Sequence, residues 1–295
     1  MIRSLTRRNL ASGSTVLLLG TLAALLASGR AAAEPYLAVE AGLKCAQCHV
    51  NPTGGGKRTP FGELYARNQI SANPVSLDPN AKPWTGDVTK WFSTGADIRG
   101  SYDSESVPNQ PTQSDFSLTR ATAYVDFTVL PNLLQIYADE KVAPDNGSED
   151  RLSLSAVYVL PRWRLGASYN KNPDPLGDRE MEAVFAGWKT GPIAWLAELD
   201  FITDEAPSGP GNRTYASLIE GNWRVHKGHN LKVTYEFLNP SNHQAEDEQE
   251  RYSAVWEYSP IQFVQSRVGI RRYNGIPNIP TSNRNEWFAE LHVYF

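Results

Sequence analysis

Cysteine, methionine and histidine are scarce in this chain, which has two, two and five of them among 295 residues. Both cysteines lie in one short segment, Cys45-Ala46-Gln47-Cys48-His49. A disulfide framework is therefore not expected, because no cysteine elsewhere is available to staple the fold. A structural zinc site is not expected either, since the surrounding segment offers no second pair of ligands.

Positive charge is also limited. The chain has 28 basic and 32 acidic residues, which gives a formal net charge of −4. The first 33 residues hold four arginines and no acidic residue, so the remainder has 24 basic and 32 acidic residues and a charge of −8. A chain of this charge is not expected to bind nucleic acid.

Residues 1–33 are predicted to be a signal peptide. Three arginines among the first eight residues precede an apolar run over residues 15–27, and Ala31-Ala32-Ala33 then provides a small-residue cleavage site. The run is shorter than the about 20 residues that a membrane-spanning helix needs. We expect export, with the mature chain beginning near Glu34.

The Cys-x-x-Cys-His spacing predicts one covalently attached c-type haem. Thiols at Cys45 and Cys48 suit the two vinyl groups of one porphyrin, and His49 places a ring nitrogen next to them for the iron. A redox-active dithiol is the alternative for the same spacing. The exported context favours haem.

Residues 34–68 are predicted to form a small haem segment, with a short helix on each side of the motif. A loop with three consecutive glycines leads into Lys57 and Arg58; it is not a phosphate loop, because Arg58 stands where that loop needs Ser or Thr. We expect Lys57 or Arg58 near a haem propionate, and Phe61 or Tyr65 against the ring edge. Solvated charges in a flexible turn are the alternative for the two basic residues.

From residue 91 to residue 295 polar and apolar side chains alternate with a period of two. In one stretch Val125 and Phe127 fall on one side and Asp126 on the other, which is typical of a strand with one apolar and one charged face. Residues 69–90, rich in Pro, Asn and Asp, are predicted to be the linker to this region.

The connections between strands decide the architecture. Twelve strands are predicted, over residues 91–103, 115–130, 133–143, 150–160, 163–171, 179–189, 193–204, 213–225, 229–238, 250–259, 261–273 and 284–295. Long links such as 239–249 alternate with tight ones such as Leu160-Pro161-Arg162, as they do in outer-membrane barrels with long outer loops and short periplasmic turns. We therefore predict an all-β antiparallel outer-membrane barrel of about twelve strands with both termini periplasmic. A periplasmic β-sandwich is the alternative.

Aromatic residues at the predicted strand ends support the barrel, because such residues form girdles at both membrane interfaces. They are Trp91, Tyr158, Trp163, Trp188, Trp195, Tyr258 and Tyr294. The last strand ends on Phe295, which resembles the recognition signal of outer-membrane barrels.

A family resemblance rests on Ala41-Gly42-Leu43-Lys44 before the first cysteine and Thr59-Pro60-Phe61-Gly62 after the motif. With a leader in front and a barrel behind, this order resembles the fused outer-membrane cytochrome–porins known from iron-oxidising bacteria. The resemblance implies a haem-bearing plug in or at the mouth of the barrel. It also implies electron transfer between a periplasmic carrier, such as a soluble cytochrome c, and an extracellular donor or acceptor, with ferrous iron among the donors.

The sequence leaves the sixth ligand of the iron open. Strand parity turns His292 toward the lumen at the periplasmic end, so His292 is the candidate metal ligand opposite His49. The histidines of the turn at His226 and His229 lie at the same end, whereas His243 falls in a long outer loop.

Two functions are consistent with these features. The first is an electron conduit across the outer membrane, for which oxidoreductase is the enzyme class if one applies. The second is a plugged or gated porin in which the haem is a sensor or a structural element. Outer-membrane lipid and lipopolysaccharide are expected partners in both cases.

Overall fold

The computed structural model describes residues 35–50, 56–75, 86–130, 134–143, 152–160, 162–172, 178–205, 211–244, 246–277 and 279–294. The predicted signal peptide, the first two of the three consecutive glycines, the middle of the predicted linker and the terminal Phe295 lie outside these residues.

Short helices surround the haem motif, as the sequence predicts. They are α1 (Pro35–Ala41), α2 (Cys45–Cys48) and α3 (Pro60–Tyr65), the last continued by a π-helical turn over Ala66–Ile70. No helix in the described part of the chain has both the length and the apolar content to cross a membrane.

In the residues that the structure describes, twelve antiparallel strands form one sheet. They are β1 Phe92–Ser106, β2 Gln113–Leu130, β3 Leu134–Ala143, β4 Leu152–Val159, β5 Trp163–Asn172, β6 Arg179–Thr190, β7 Ile193–Asp204, β8 Asn212–His226, β9 His229–Asn239, β10 Gln249–Ile261, β11 Val264–Asn274 and β12 Asn285–Tyr294. The first and last strands lie side by side, because β1 pairs with β12 as well as with β2. The strand order therefore ends on β3 and β4, which are consecutive in the chain. The predicted barrel of about twelve strands is confirmed.

The distribution of polarity across the wall distinguishes a membrane barrel from a soluble sandwich. On β12 the side chains of Trp287 and Leu291 are 63% and 52% exposed, whereas Glu286 and His292 are only 4% and 8% exposed. A soluble sheet buries its apolar face. Here the large apolar side chains face outward and charged ones face the lumen, which is the arrangement of a transmembrane barrel.

An aromatic stack lies at the end of the wall that carries the short turns. The Trp188 ring lies 5.9 Å from that of Trp163 and 6.1 Å from that of Trp195, both nearly parallel to it. Such rings suit a membrane interface. Tyr294, predicted to belong to the same girdle, is instead turned inward, because it has the same parity on β12 as the buried His292.

The N-terminal segment, residues 35–50 and 56–75, forms a plug that packs against the inner face of the wall. Tyr36 and Val39 on α1 form a small apolar core with Ala194 on β7. The helix lies so close to β6 that a Cβ on Gly187 would come within 2.6 Å of Val39 Cγ2. A larger residue at position 187 would therefore displace Val39, and glycine allows this close approach of the plug to the wall.

Candidate functional site

The two cysteines lie on the single turn of α2, which places both partly buried thiols near each other on one helix. The side chain of Gln47 accepts a hydrogen bond from the Lys44 N–H at 2.8 Å, and the His49 N–H donates to Cys45 O at 2.9 Å. These bonds satisfy backbone groups at both ends of a helix too short to be stable alone. The motif is thus held in a defined geometry.

The Thr-Pro-Phe-Gly segment fixes α3 against α2. Thr59 is the N-cap of α3: its hydroxyl accepts a hydrogen bond from the Gly62 N–H at 3.1 Å and donates to Gln47 O at 2.7 Å. Pro60 occupies the first helical position, where its fixed φ is favourable. A Cβ on Gly62 would lie 2.1 Å from Cys48 O. Only glycine allows this contact, so the segment is a packing element of the site.

One pocket brings the plug motif and the barrel wall together. The plug contributes Cys45, Cys48 and His49, and the wall contributes His292 from β12. Its other lining residues are Pro35, Leu37, Ala38, Leu43, Lys44, Gly56, Arg58, Gly62, Tyr65, Asp97, Arg99, Tyr124, Gln265 and Tyr294. Two thiols, two imidazoles, several apolar side chains and two arginines therefore face the same space.

Of the four other predicted site residues, two line this pocket and two do not. Arg58 and Tyr65 line the pocket. Phe61 is not among the lining residues; it is 47% exposed, with its ring 6.3 Å from that of Tyr65. Lys57 is also outside the pocket, with its ammonium group 3.0 Å from Asp126 Oδ2 and hydrogen-bonded to Ser93. Lys57 is thus a buried contact between the plug and the wall.

Of the histidines considered for a sixth ligand, His292 alone is among the residues that line this pocket. His229 stacks on Tyr258 with ring centroids 4.5 Å apart, and His226 is exposed in the turn before it. His243 lies in the long loop between β9 and β10, where its Nε2 is 3.0 Å from Gly211 O. Among the described residues, no three His, Cys, Asp or Glu side chains are grouped to hold a free metal ion.

Charge inside the plug is concentrated near Arg58. Its guanidinium donates to Gln262 O at 3.0 Å, stacks over the Tyr294 ring at 4.3 Å and lies 3.9 Å from Glu63 Oε1. Burial raises the pKa of Glu63, although Arg58 acts in the opposite direction. Burial likewise raises the pKa of the Cys48 thiol, again against the effect of Arg58. An anionic group in the pocket would be favoured by this arginine.

The plug is held by polar contacts spread around the wall. Tyr36 donates to Glu257 at 3.0 Å, and Arg224 lies 2.5 Å from Glu40. Lys189 donates to Glu40 O at 3.2 Å, and Arg164 donates to Leu43 O. These contacts come from β6, β8 and β10 and from the start of β5, so displacement of the plug breaks bonds on several sides at once.

The segment predicted to be a linker is attached to the wall where it is described. The Ala72 and Asn73 N–H groups donate to Ser259 O at 2.9 Å and Pro260 O at 2.8 Å. Gln262 then makes two bonds to the Val75 backbone, at 3.0 and 2.8 Å. In the described residues the plug therefore ends against the last residues of β10 and the turn that follows it.

Several pocket residues were not found from the sequence. Asp97 and Arg99 come from β1, Tyr124 from β2 and Gln265 from β11. The alternation of polar and apolar residues does not distinguish them from other residues on the polar side of their strands. Their position at the pocket follows from the pairing of β1 with β12, in which Arg99 is opposite His292, and no local pattern encodes that register.

Comparisons with solved structures identify the architecture. An outer-membrane OmpT of Vibrio cholerae lacking loop L8 matches with a TM-score of 0.54 and 10% identity, over 69% of this chain and 99% of that chain. The anion-selective porin from Comamonas acidovorans matches with a TM-score of 0.55 and 5% identity, over 69% and 99% of the two chains. The chain has the fold of an outer-membrane porin.

This likeness is one of fold, because identities of 5% and 10% carry no information about individual side chains. No protein-family model matches the chain, and no curated protein matches its sequence. The porin fold accounts for the wall, the polar lumen and the apolar exterior. In this chain a cysteine-bearing plug packs against the inner face of that wall.

Proposed function

We propose that this porin-type barrel lies in the outer membrane with its termini in the periplasm and that its plug carries one covalently bound haem c for electron transfer. The observation that carries the proposal is the shared pocket, in which Cys45, Cys48 and His49 from the plug meet His292 from the wall. A bound haem supplies a reversible one-electron iron couple.

The residues present fit a haem. Cys45 and Cys48 lie on one turn and suit the two vinyl groups, and His49 follows them directly. Apolar side chains from α1 and its following loop, Leu37, Ala38 and Leu43, line the same space. Arg58 also faces it and would pair with a propionate. The donor set and the lining therefore agree with one another.

Each part of the chain then has a role. Cys45 and Cys48 would form the thioether links, and His49 and His292 would be the two iron ligands. Tyr65 would pack beside the group, and Arg58 would compensate its negative charge. The hydrogen bonds at both ends of α2 keep the ligating side chains in place, which lowers the cost of reorganisation during electron transfer. The barrel excludes lipid from the site.

The partners follow from the location. A soluble periplasmic carrier, such as a cytochrome c, would exchange electrons at the end of the barrel where the plug lies, and an extracellular donor or acceptor, ferrous iron included, would exchange them at the other. Outer-membrane lipid and lipopolysaccharide would surround the apolar exterior. Oxidoreductase is the enzyme class that such a role would carry.

The porin fold favours a second function, a plugged or gated channel in which the haem is structural or a sensor. The contacts of the plug weigh against gating. The Tyr36–Glu257, Arg224–Glu40 and Lys57–Asp126 contacts lie on different strands, so an open state would have to leave several buried charges without these partners. A fixed plug suits an electron conduit better than a gate.

Sealed vesicles that contain the purified protein test the two functions side by side. With a membrane-impermeant reductant outside and an impermeant oxidant inside, the conduit predicts haem-dependent reduction of the oxidant. A Cys48→Ser protein should lack this activity. Equal rates in the two proteins would overturn the conduit, and uptake of small solutes that depends on plug release would support the channel.

A further inference from the structure

His292 is held by a carboxylate of the adjacent strand. Its Nε2 lies 3.0 Å from Asp97 Oδ1, and both residues line the pocket shared with Cys45, Cys48 and His49. In the pairing of β1 with β12, Asp97 is opposite Tyr294, so His292 is its diagonal neighbour. Diagonal positions are within reach of long side chains on one face of a sheet.

Asp97 is itself fixed from two sides. Arg99, two residues along β1, donates to both carboxylate oxygens of Asp97 at 3.1 and 3.0 Å. Arg120 on β2 contributes a further positive charge, with its Nε 3.7 Å from Asp97 Oδ2. A carboxylate with these contacts keeps one orientation, so it can determine the orientation of the imidazole beside it.

We propose that Asp97 is a positioning residue for His292 at the haem pocket. Its carboxylate lies against Nε2, holds the ring against the wall and leaves Nδ1 as the nitrogen that would bind the iron. This inference rests on the proposed function, because it takes His292 as the distal ligand. Carboxylates in the outer shell commonly fix the tautomer of a ligating histidine in this way and raise its basicity.

The contact between Asp97 and His292 affects the reduction potential of the iron. An imidazole that donates a hydrogen bond to a carboxylate is more electron-rich and stabilises Fe(III) relative to Fe(II). Asp97 therefore lowers the reduction potential of the site. Neutralising it with Asn keeps the size and the hydrogen-bonding shape but removes the charge, so the potential should rise while both ligands stay bound.

The test compares Asp97→Asn with Asp103→Asn, since Asp103 is a carboxylate on the same strand that accepts a bond from Ser101 and does not line the pocket. Both variants are purified with haem, checked for barrel folding by heat-modifiable gel mobility, and titrated electrochemically. Asp97→Asn should show a higher reduction potential with its low-spin spectrum retained, and Asp103→Asn should match the unaltered protein in both. Asp97→Glu, which restores the charge, should recover part of the shift.

The outcomes separate this inference from the function on which it rests. If Asp97→Asn changes the thermal stability but leaves the potential and spectrum unchanged, Asp97 is only a structural partner of Arg99 and the inference is overturned. If His292→Ala leaves the spectrum unchanged, the ligand assignment fails and the inference fails with it. A protein without a haem spectrum would instead contradict the proposed function itself.

Discussion

The Tyr36 hydroxyl donates a 3.0 Å hydrogen bond to Glu257 Oε2, which joins the first helix of the plug to a wall carboxylate 221 residues away. Glu257 is 1% exposed and also contacts Lys232 at 3.0 Å and Arg267 at 3.3 Å. Asn230 donates a further bond at 2.8 Å. The buried charge of Glu257 is thus compensated by the wall, while Tyr36 ties the plug to that cluster.

We therefore expect Tyr36→Phe to loosen the plug without unfolding the barrel. A hydrogen bond to a charged group contributes about 2 kcal/mol, equivalent to about a 30-fold change in the population of undocked plug. The rate at which protease cleaves the plug of the folded protein measures that population. Tyr235→Phe is the matched control, because it removes a 2.9 Å bond to Glu250 within the wall. Equal cleavage rates in the two variants would contradict the anchoring role.

Lys57→Met should lower the free energy of unfolding more than a substitution at an exposed ion pair does. The side chains of Lys57 and Asp126 are 8% and 2% exposed, and the variant leaves the carboxylate buried without this cation. Removing one member of a buried pair costs about 3–5 kcal/mol. Arg179→Met, at a pair with Asp204 that is 51% and 37% exposed, should cost about 0–1 kcal/mol. Denaturant unfolding compares the two.

A second substitution makes the Lys57 test sharper. Adding Asp126→Asn to Lys57→Met removes the buried charge, so the double variant should recover part of the lost stability. A double variant less stable than Lys57→Met would show that the pair is not the source of the loss. The haem spectrum should be unaffected in both, because Lys57 is not among the pocket residues.

The strands were predictable because their signal is local. Twelve predicted strands match the observed ones with ends that differ by at most three residues. Polar and apolar residues alternate along each strand. Once the connection lengths indicate a barrel, the apolar side of each strand is assigned to the lipid and the polar side to the lumen. The parity of β12 also gave the lumen orientation of His292 correctly.

The remainder of the site depends on contacts between residues far apart in the chain. Lys57 or Arg58 was predicted to lie near a propionate from its place beside the motif; the contact of the Lys57 ammonium group with Asp126, 69 residues away, was not predicted. Residues 69–90 were predicted to be a linker from their composition; the bonds of Ala72, Asn73 and Val75 to the end of β10 and to Gln262 were not predicted. Sequence alone does not reveal such partners, because each requires the register of the wall and the depth of the plug together.

Glu63 gives the plug a pH-dependent stability. Burial raises its pKa in the folded protein above the ordinary value of 4.5, and Arg58 only partly offsets this. The folded state therefore binds the proton more tightly than the unfolded state, so stability falls as the pH rises from the unfolded pKa through the folded pKa. Glu63→Gln should remove that fall and make the plug more protease-resistant at pH 7 than the unaltered protein.

The control for this effect is Glu248→Gln, which alters an exposed carboxylate in the loop between β9 and β10. Its pH profile of plug cleavage should follow that of the unaltered protein. If Glu63→Gln instead lowers resistance at pH 7, the ion pair with Arg58 outweighs the cost of burial, and the pH dependence has the opposite sign.

Variants of two histidines near the short-turn end of the barrel distinguish an iron ligand from a packing residue. His292 is 8% exposed and lines the pocket, whereas His229 packs on Tyr258 and on Trp256, whose ring centroid is 5.3 Å away. If His292 binds the iron, His292→Ala should convert a low-spin spectrum to a high-spin one that added imidazole reverses. His229→Ala should leave the spectrum unchanged and affect only stability. A spectral change in His229→Ala alone would assign the distal ligand to the turn and would require the plug to sit differently against the wall.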